Sequence, residues 1–435
     1  MTEERVVKET GLPPSVRSAN RDEGPWLARL REEAWGVYLG TPLPSRSAHL
    51  WRYTDPAEFV LDPADLAGGG PVGAGGKPAA PSWAPDDCAA TVVLQGGAEP
   101  IVSIGGDAAS SGLEILSLRE AAARHPGILE ERVGSLLPPA HGKFEALAAA
   151  IWSSGCFLRI PDGVELAKPI HVLHGANAGS PSSAFRFAAI LGRNAKAILI
   201  EEHAGGGPGP SRVYGLGELF VGEGGSLRHV VIQRFPDGVI SHVTYRTRVD
   251  RGGSHRPFIV SLGGRLSKFD VGTLLAGDGS ETELLGVVFG AKGQRFDHHT
   301  VHDHAARNTR SNLEMRVVLT DRAQSAYTGL IRIGESAPFA EAYQENRNLV
   351  LSKRAKAETI PELEISTDEV RCKHGATVGP VDEDQIFYLM SRGIPWTRAV
   401  RMIVRGFVDA VLDRAPTDLK AKIGETVEER LRHIS

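Results

Sequence analysis

The segment GELFVGEGGSLRHVVIQRFPDGVISHVTYRTRVDRGG (217–253) decides the fold class of this chain. It contains three strand-like runs separated by glycine-rich turns, and in the last run Val243, Tyr245 and Val249 alternate with polar residues. Apolar residues at every second position predict strands that have one buried and one solvated face. Similar runs continue over residues 156–379, so the sequence predicts a mainly β protein.

The spacing of the turns favours a solenoid. Turn-rich points recur at intervals of roughly 26–30 residues, near Asn194, Gly224-Gly225, Gly252-Gly253 and Asp278-Gly279. A β-sandwich would have turns about every 8–12 residues, whereas the longer interval suits successive coils. We therefore predict a right-handed β-solenoid in this part of the chain.

Helical segments are predicted on both sides of the solenoid. Before it, residues 25–40 and 116–153 place apolar residues at helical spacing. After it, Asp382 is a suitable N-cap for one helix, and residues 396–413 form another. The apolar face of this last helix is predicted to contain Val400, Ile403, Phe407 and Val411.

The chain therefore divides into three regions. Residues 1–155 form an N-terminal helical region with a linker near residues 61–82, where the composition collapses into Gly, Pro and Ala. Residues 156–380 form the β-helix core, and residues 381–435 form a C-terminal helical domain.

Composition excludes several classes of function. The formal net charge of -4, from 49 basic and 53 acidic residues, gives no electrostatic reason to expect nucleic acid or an anionic membrane as a partner. No stretch approaches the roughly 20 apolar residues that cross a bilayer, so we expect a cytoplasmic protein. Cys88, Cys156 and Cys372 are too far apart to form a disulfide framework or a four-thiolate cluster site.

Cys372 and His374 are the main candidate ligands. A thiolate and an imidazole can both bind iron, copper or zinc. In an extended segment, residues two apart point the same way, about 6–7 Å from each other. Val370 has the same parity, so the spacing is equally consistent with a buried cysteine and a buried histidine. Two ligands also make only half of a metal site.

A second candidate is the histidine-rich run DHHTVHDH (297–304). In a strand, His302 and His304 share one face, as do Asp297 and His299, so a metal site is chemically possible. The run contains no further ligands at fixed spacing. A solvated or interface-forming strand is therefore the preferred interpretation, and the roles of the remaining members, His298 and Asp303, stay open.

Enzymatic alternatives have weaker support. Paired carboxylates of a carbohydrate-cleaving β-helix enzyme could come from Asp270, Asp297, Asp303 and Glu314. Nothing in the sequence sets their separation, and an aromatic content of 6% is low for a saccharide-binding groove. The chain contains no HExxH zinc motif, no GxSxG nucleophile elbow and no phosphate-binding loop.

Several longer segments resemble the SufB/SufD family of the SUF iron–sulfur assembly scaffold. They are WRYTD (51–55), GVELAKPIHVL (163–173), AYQENRNLVLS (342–352), TIPELEISTDEVRCKHGATVGPVDEDQIFYLMSRGI (359–394) and RGF (405–407). The longest block is far more specific than any of the short motifs. Its CKHGATVG run (372–379) resembles the SufD branch of the family more closely than the SufB branch.

The resemblance implies a right-handed parallel β-helix flanked by helical domains, which pairs with SufB through the β-helix. It also implies that the C-terminal helical domain docks the ATPase SufC, so that the chain itself is a non-catalytic scaffold subunit. Cys372 and His374 match a Cys-x-His pair of the family, and the resemblance implies that they form an interface site for iron or a nascent iron–sulfur cluster. The isolated chain is not expected to hold a cluster stably.

Two alternatives remain open within this resemblance. The chain could be a SufB-like subunit that builds the cluster itself. When SufB is absent, unpaired edges of the β-helix would also allow a homodimer.

Overall fold

A computed structural model describes residues 11–13, 16–17, 20, 23–61, 83–95, 97–176, 181–206, 209–415 and 417–432. The predicted Gly/Pro-rich linker near residues 61–82 lies outside these residues, apart from Leu61.

The described residues include nineteen β-strands, which form two sheets. In chain order they are β1 Ala90–Gln95, β2 Ile101–Ile104, β3 Glu114–Ser117, β4 Ser154–Ile160, β5 Ile170–Ala176, β6 Ser182–Leu191, β7 Lys196–Gly205, β8 Ser211–Val221, β9 Ser226–Gln233, β10 Val239–Val249, β11 Ser254–Ser261, β12 Leu266–Leu275, β13 Glu281–Gly290, β14 Arg295–His304, β15 Arg310–Leu319, β16 Gln324–Ile333, β17 Glu341–Val350, β18 Lys356–Ile365 and β19 Arg371–Gly379.

From β4 onward the chain alternates between the two sheets. The first sheet has the order β19-β17-β15-β13-β11-β9-β7-β5-β1-β2, and the second has the order β18-β16-β14-β12-β10-β8-β6-β4-β3. Neighbouring strands from β4 to β19 pair in parallel, and their register offsets run from 26 residues (Val249 to Leu275) to 32 residues (Ile333 to Ile365). The fold is thus a parallel β-solenoid of eight coils, as predicted.

The predicted turns stack on one another along the solenoid. Equivalent turn positions have a left-handed backbone conformation, with φ between 56° and 70°, at Asn194, Gly224, Gly252 and Gly279. Each of these residues donates its backbone N–H to a carbonyl oxygen in the turn of the next coil, at 2.8–3.0 Å. Glycine adopts this conformation without a Cβ clash and asparagine tolerates it, which explains why these two residues recur there.

The interior between the sheets is filled by the residues that alternation predicted to be buried. Val243, Tyr245 and Val249 of β10 all belong to one apolar cluster that extends along the solenoid. The other face of β10 is not solvated as expected, because His242 stacks on Trp51 and Thr244 is buried as well. Segments from outside the solenoid cover this outer face.

The N-terminal helices pack on the outer face of the second sheet, except the short helix at Gly106–Ser110, whose Ala108 joins the interior apolar cluster. They are α1 Pro25–Gly40, α2 Gly106–Ser110, α3 Leu118–Arg124, α4 Pro126–Arg132 and α5 Lys143–Ile151, with 3₁₀ turns at His49–Trp51, Pro56–Phe59 and Pro139–His141. Arg31 of α1 is buried and donates hydrogen bonds to the carbonyl oxygens of Ala150 and Trp152, at 3.0 and 2.8 Å. These bonds hold α1 against the end of α5.

The same N-terminal region also contributes strands that the sequence pattern did not predict. β1 pairs in parallel with β5, while β2 pairs antiparallel with β1. β3 pairs antiparallel with β4. These strands extend both sheets beyond the first coil.

The C-terminal helices pack on the outer face of the first sheet. They are α6 Glu383–Ser391, α7 Trp396–Leu412 and α8 Thr417–Leu431. As predicted, Asp382 caps α6, because its side chain accepts hydrogen bonds from the backbone N–H groups of Asp384 and Gln385. The buried face of α7 centres on Val404 and Val408, whereas the predicted residues Ile403 and Phe407 are only half-buried.

None of the described helices combines the length and apolarity that a transmembrane span requires.

Candidate functional site

The last coil of the solenoid forms an open end. β18 and β19 are the edge strands of their sheets, so each has one strand neighbour among the described residues. The two strands are mostly exposed or half-buried, in contrast to the buried strands of the preceding coils. Side chains that face the interior at this position are therefore not covered by a further coil.

Cys372 and His374 lie on the inward face of β19. In the parallel register Cys372 is opposite Ala342 and His374 is opposite Gln344, and both of these β17 residues are buried. Cys372 is half-buried and packs against a small apolar cluster that includes Ala342, whereas His374 is exposed. The predicted common face is confirmed, and the end of the solenoid leaves that face accessible.

The environment of the Cys372 thiol differs from the one expected from its neighbours. If Arg371 and Lys373, its neighbours in the chain, faced the thiol, their positive potential would favour a thiolate. Alternation instead places both of them on the opposite face from Cys372, and Arg371 pairs with Glu341 at 3.3 Å. Burial raises the pKa of the Cys372 thiol, although a backbone hydrogen bond at Ala342 offsets part of this effect. In the isolated chain the thiol is thus protonated near neutral pH.

A surface groove of about 480 Å³ runs beside this end of the first sheet. It is lined by residues of mixed charge, among them Arg256, Glu281, Glu283, Arg310, Glu341, Arg371 and Lys373. Ala342, the register partner of Cys372, also lines it. The groove gives solvent access to the strands that lead to the open end.

The histidine-rich run occupies β14, and its members divide between two environments. His298, His302 and His304 share a face with the core residue Phe296 and lie inside the solenoid. Nε2 of His298 lies 2.8 Å from Ser261 Oγ, and the two ring nitrogens of His304 lie 2.7 and 2.9 Å from hydroxyl oxygens. The expectation of a solvated or interface-forming strand is wrong, because flanking strands and the N-terminal region cover β14.

Asp297 and His299 lie on the outer face of β14, below the N-terminal region. Asp297 accepts hydrogen bonds from Lys268 at 2.9 Å and from Thr54 at 2.5 Å, and it lies 2.9 Å from His299 Nε2. Burial alone would raise the pKa of Asp297, but the charges of Lys268 and His299 hold it well below its usual range. The group is a buried ion-pair network that attaches the N-terminal region to the solenoid.

The remaining carboxylates do not form the acid pair of a glycoside hydrolase. Asp270 and Asp303 line the same cleft, but four residues along the strands separate their register positions. At about 3.3 Å per residue this places them roughly 13 Å apart, beyond the roughly 5–9.5 Å that such enzymes use. Asp297 is buried in its ion pair, and Glu314 lies on the first sheet beside Arg316. The geometry thus gives no support to a carbohydrate-cleaving site.

Comparison with known proteins identifies the family. The family model described as SUF system FeS cluster assembly, SufBD core domain, matches residues 173–407, which is more than half of the chain. This chain belongs to the SufBD family. The match extends from β5 to α7 and includes both Cys372 and His374. The role of the SufBD family is iron–sulfur cluster assembly in the SUF system.

Named SufBD relatives agree with this assignment. The chain is 27% identical over 327 residues to the iron-sulfur cluster assembly protein SufB of Bacillus subtilis, covering 74% of this chain and 70% of the relative. SufBD family proteins of Staphylococcus epidermidis and Staphylococcus haemolyticus are each 28% identical over 302 residues, covering 69% of this chain and 65% of the relative. About a third of the length of these relatives is therefore outside the alignments.

Sequence reasoning missed two features of this SufBD protein. Glu201 and His203 lie inside the solenoid, and the signal was their position in the otherwise apolar run AKAILIEEH (195–203). The second feature is on α6, where Phe387 and Tyr388 are exposed. The sequence predicts the N-cap of this helix but not its exposed aromatic residues. In that case the signal was the pair of adjacent aromatic residues, which cannot both lie on one narrow buried stripe.

Proposed function

We propose that this chain is a SufD-type scaffold subunit whose open end pairs with a SufB-type chain. The observation that carries the proposal is the position of Cys372 and His374, which are two soft ligands on an accessible inward face at unpaired strand edges. A thiolate and an imidazole fill half of a tetrahedral coordination shell, and a partner at this seam would supply the rest. Iron or a nascent cluster is then cargo shared by two chains.

The SufD assignment and the scaffold role rest on the sequence of the last coil. The run CKHGATVG (372–379) resembles the SufD branch, and a single Cys-x-His pair does not provide four thiolates. We propose that the chain catalyses no reaction itself and does not hold an iron–sulfur cluster stably when isolated. A cytoplasmic, reducing environment would keep the Cys372 thiol available for the shared site.

The C-terminal helices are the proposed docking surface for a SufC-type ATPase. Phe387 and Tyr388 of α6 are 74% and 57% exposed, and Met390 and Trp396 are exposed near them. Aromatic residues and methionine are enriched in protein interfaces, and here they form a surface close to the open end. ATP turnover in the partner would move these helices and open the shared site to iron and sulfur.

A charged residue on the exposed inward face of β19 tests the proposed pairing of the open end. Val378 is 49% exposed on β19, so Val378→Arg should reduce co-purification of the SufB-type chain by at least about tenfold, which is about 1.4 kcal/mol of binding free energy. Ile101→Arg is the matched control, because Ile101 is 61% exposed on β2 at the opposite edge of the same sheet. If both variants recover equal amounts of the SufB-type chain, the open end is not the surface that binds it.

The shared site is tested in the complex, reconstituted without oxygen. The double variant Cys372→Ala, His374→Ala should lower bound iron and sulfide to less than about half of the unmodified level, since half of the proposed ligands are lost. Cys88→Ala is the control, because Cys88 precedes β1 at the other end of the solenoid. Unchanged iron and sulfide in the double variant would refute the role of this pair.

The docking of the ATPase is tested separately. Phe387→Asp should abolish co-purification of the SufC-type chain while the SufB-type chain is retained, because the two proposed surfaces differ. Leu43→Asp, at a position 42% exposed in the N-terminal region, should leave both partners bound. If both variants retain the SufC-type chain, its docking surface lies elsewhere.

The alternative of a SufB-like cluster-building subunit predicts a different result for the isolated chain. Incubated with iron and sulfide, a SufD-type chain should stay essentially colourless, because it lacks the thiolates of a cluster site. A stable brown holoprotein formed without a partner would instead support the SufB-like alternative.

A further inference from the structure

A group of polar side chains is enclosed inside the first coils of the solenoid, far along the chain from the open end. His174 of β5, Glu201 and His203 of β7, His229 of β9 and Tyr245 of β10 are all buried. They share the inward face with apolar core residues of the same strands. Polar groups in such a position require partners, since an unpaired polar atom in the core costs about 1–3 kcal/mol.

The Glu201 carboxylate is the centre of this group. Its Oε2 atom lies 2.6 Å from His174 Nε2 and accepts a hydrogen bond from the Tyr245 hydroxyl at 2.7 Å. Its Oε1 atom lies 2.7 Å from His229 Nε2. His203 is tied to the same group through Tyr245, because its Nε2 atom lies 3.2 Å from the tyrosine oxygen.

His174, Glu201 and His203 bring three potential metal ligands close together. One ligand atom of each lies within 4.8 Å of the ligand atoms of the other two. The imidazole rings of His174 and His203 are nearly perpendicular at 5.0 Å between centroids. Two imidazoles and one carboxylate are a ligand set used for Zn²⁺ and Fe²⁺ in proteins.

The hydrogen bonds of the group are incomplete among the described residues. Nδ1 of His174 and Nδ1 of His203 are buried and have no partner there. An unsatisfied buried polar atom calls for a specific explanation, and a role as a metal ligand is one of them. Together with the Glu201 oxygen, these two ring nitrogens can offer electron pairs to a metal ion. The apolar side chains around them cannot bond to them.

We propose that His174, Glu201 and His203 bind one divalent transition metal ion, of the Zn²⁺ or Fe²⁺ class, inside the first coils of the solenoid. His229 orients the carboxylate through its other oxygen, and the Tyr245 hydroxyl lies against the same site. The inference rests on this interior geometry alone and is independent of the proposed scaffold function.

A small crevice between the first coils reaches His174, and Ser154, Phe185 and Val213 also line it. Of the three proposed ligands, His174 is the one that lines this crevice.

The test is a titration of the metal-free full chain with Co²⁺ and Zn²⁺, followed by calorimetry and by the visible absorption of bound Co²⁺. We expect one equivalent to bind to the unmodified chain and to the double variant Cys372→Ser, His374→Ala. His203→Gln should weaken binding at least about 100-fold, since even second-shell changes cost about 10–100-fold. Binding to neither chain, or unchanged binding to His203→Gln, would overturn the proposal.

His171→Gln is the matched control. His171 lies on the same strand as His174 and is equally buried, with its Nε2 3.1 Å from Glu202, but the pair faces outward, and Arg234 engages that carboxylate. This variant should keep the unmodified affinity for Co²⁺. A loss of binding equal to that of His203→Gln would mean that general destabilisation, and not loss of a ligand, explains the result.

X-ray absorption of the Co²⁺-loaded unmodified chain tests the ligands directly. The measurement uses no variant, so misfolding of a variant cannot affect it. The proposal requires a shell of nitrogen and oxygen atoms only. Sulfur in the first shell would show that a cysteine binds the ion and would overturn the proposed ligand set.

Discussion

Asp270 and Asp297, two buried carboxylates on the outer face of the second sheet, are each paired with a cationic side chain. Asp270 accepts two hydrogen bonds from the Arg246 guanidinium, at 2.8 and 3.0 Å. Asp297 binds the Lys268 ammonium below the N-terminal region. An ion pair in such a position is stabilising only while both charges are present, because either one alone would be buried without compensation.

Asp270 should make the free energy of unfolding depend on pH in the acidic range. Although burial alone would raise the pKa of Asp270, Arg246 lowers it to about 2. The unfolded value is about 3.9, so the ionised group should stabilise the native state by about 2–3 kcal/mol at pH 7. This contribution is present above the unfolded pKa and is lost as the pH falls through the folded pKa.

We therefore expect Asp270→Asn to lower the free energy of unfolding by about 2–3 kcal/mol at pH 7. The difference from the unmodified chain should shrink as the pH falls from about 4 to about 2. Urea denaturation at several pH values measures it. A difference that stays constant over this range would show that the carboxylate charge is not responsible.

Lys268 should be among the most sensitive positions of the outer face. Lys268→Met keeps the length of the side chain but leaves the Asp297 carboxylate buried without its cation, so we expect a loss of about 3–5 kcal/mol in unfolding free energy. Lys292→Met is the control, because Lys292 pairs with Asp237 at 2.6 Å on the surface. An exposed pair of this kind contributes about 0–1 kcal/mol. Equal losses in the two variants would contradict the buried-pair argument.

At the scale of elements, the left-handed turn positions set where one coil ends and the next begins. Gly252 has φ of 61°, and a Cβ there would meet nothing within 4 Å. A side chain at this position should therefore destabilise the folded state only through backbone strain. Asn194 occupies the equivalent position two coils earlier with φ of 56°.

Gly252→Ala should therefore destabilise the protein by about 1–2 kcal/mol, since an L-residue with a Cβ is strained in this conformation. Gly252→Asn should cost clearly less, because asparagine adopts it more readily. The midpoints of urea denaturation compare the two variants. If alanine and asparagine cost the same, steric crowding and not backbone conformation governs this turn.

The sequence was sufficient to predict the regular elements of the solenoid and the helices on both sides. Strand-like runs located the solenoid between residues 156 and 379, and glycine and asparagine located four of its turns. Strands β1 to β3 were not predicted, because they are short and exist by pairing with strands distant in the chain. The burial of outer faces such as that of β10 was also not predictable, since it depends on which helices cover them.

At the scale of the whole molecule, the two ends of the solenoid differ. At one end β1, β2 and β3 extend the sheets and the N-terminal helices pack beside them, whereas at the other end β18 and β19 are unpaired edges among the described residues. The local pattern of β19 resembles that of any interior strand. The parity of Cys372 and His374 was therefore predictable from sequence, but their accessibility was not, because it depends on whether a further coil covers them.

An open edge of this kind should favour self-association of the isolated chain. Unpaired strand edges bind other strands, and lysine is a residue that natural proteins use to block them. We expect Val378→Lys to shift the isolated chain towards the monomer in analytical ultracentrifugation. Ile101→Lys, at the opposite edge of the first sheet, should leave the distribution unchanged. A monomeric unmodified chain would show that this edge does not bind itself.

The stacking of coils, each of which contacts mainly the coil before and the coil after it, makes the molecule nearly one-dimensional. Opening from an uncovered end breaks the contacts of one coil at a time, whereas opening in the middle breaks two interfaces at once. Amide hydrogens of β19 should then exchange with deuterium earliest, with protection increasing coil by coil towards β10. The strand that carries Cys372 and His374 is in this way the first to fray, so binding at that end would stabilise the least protected coil of the protein.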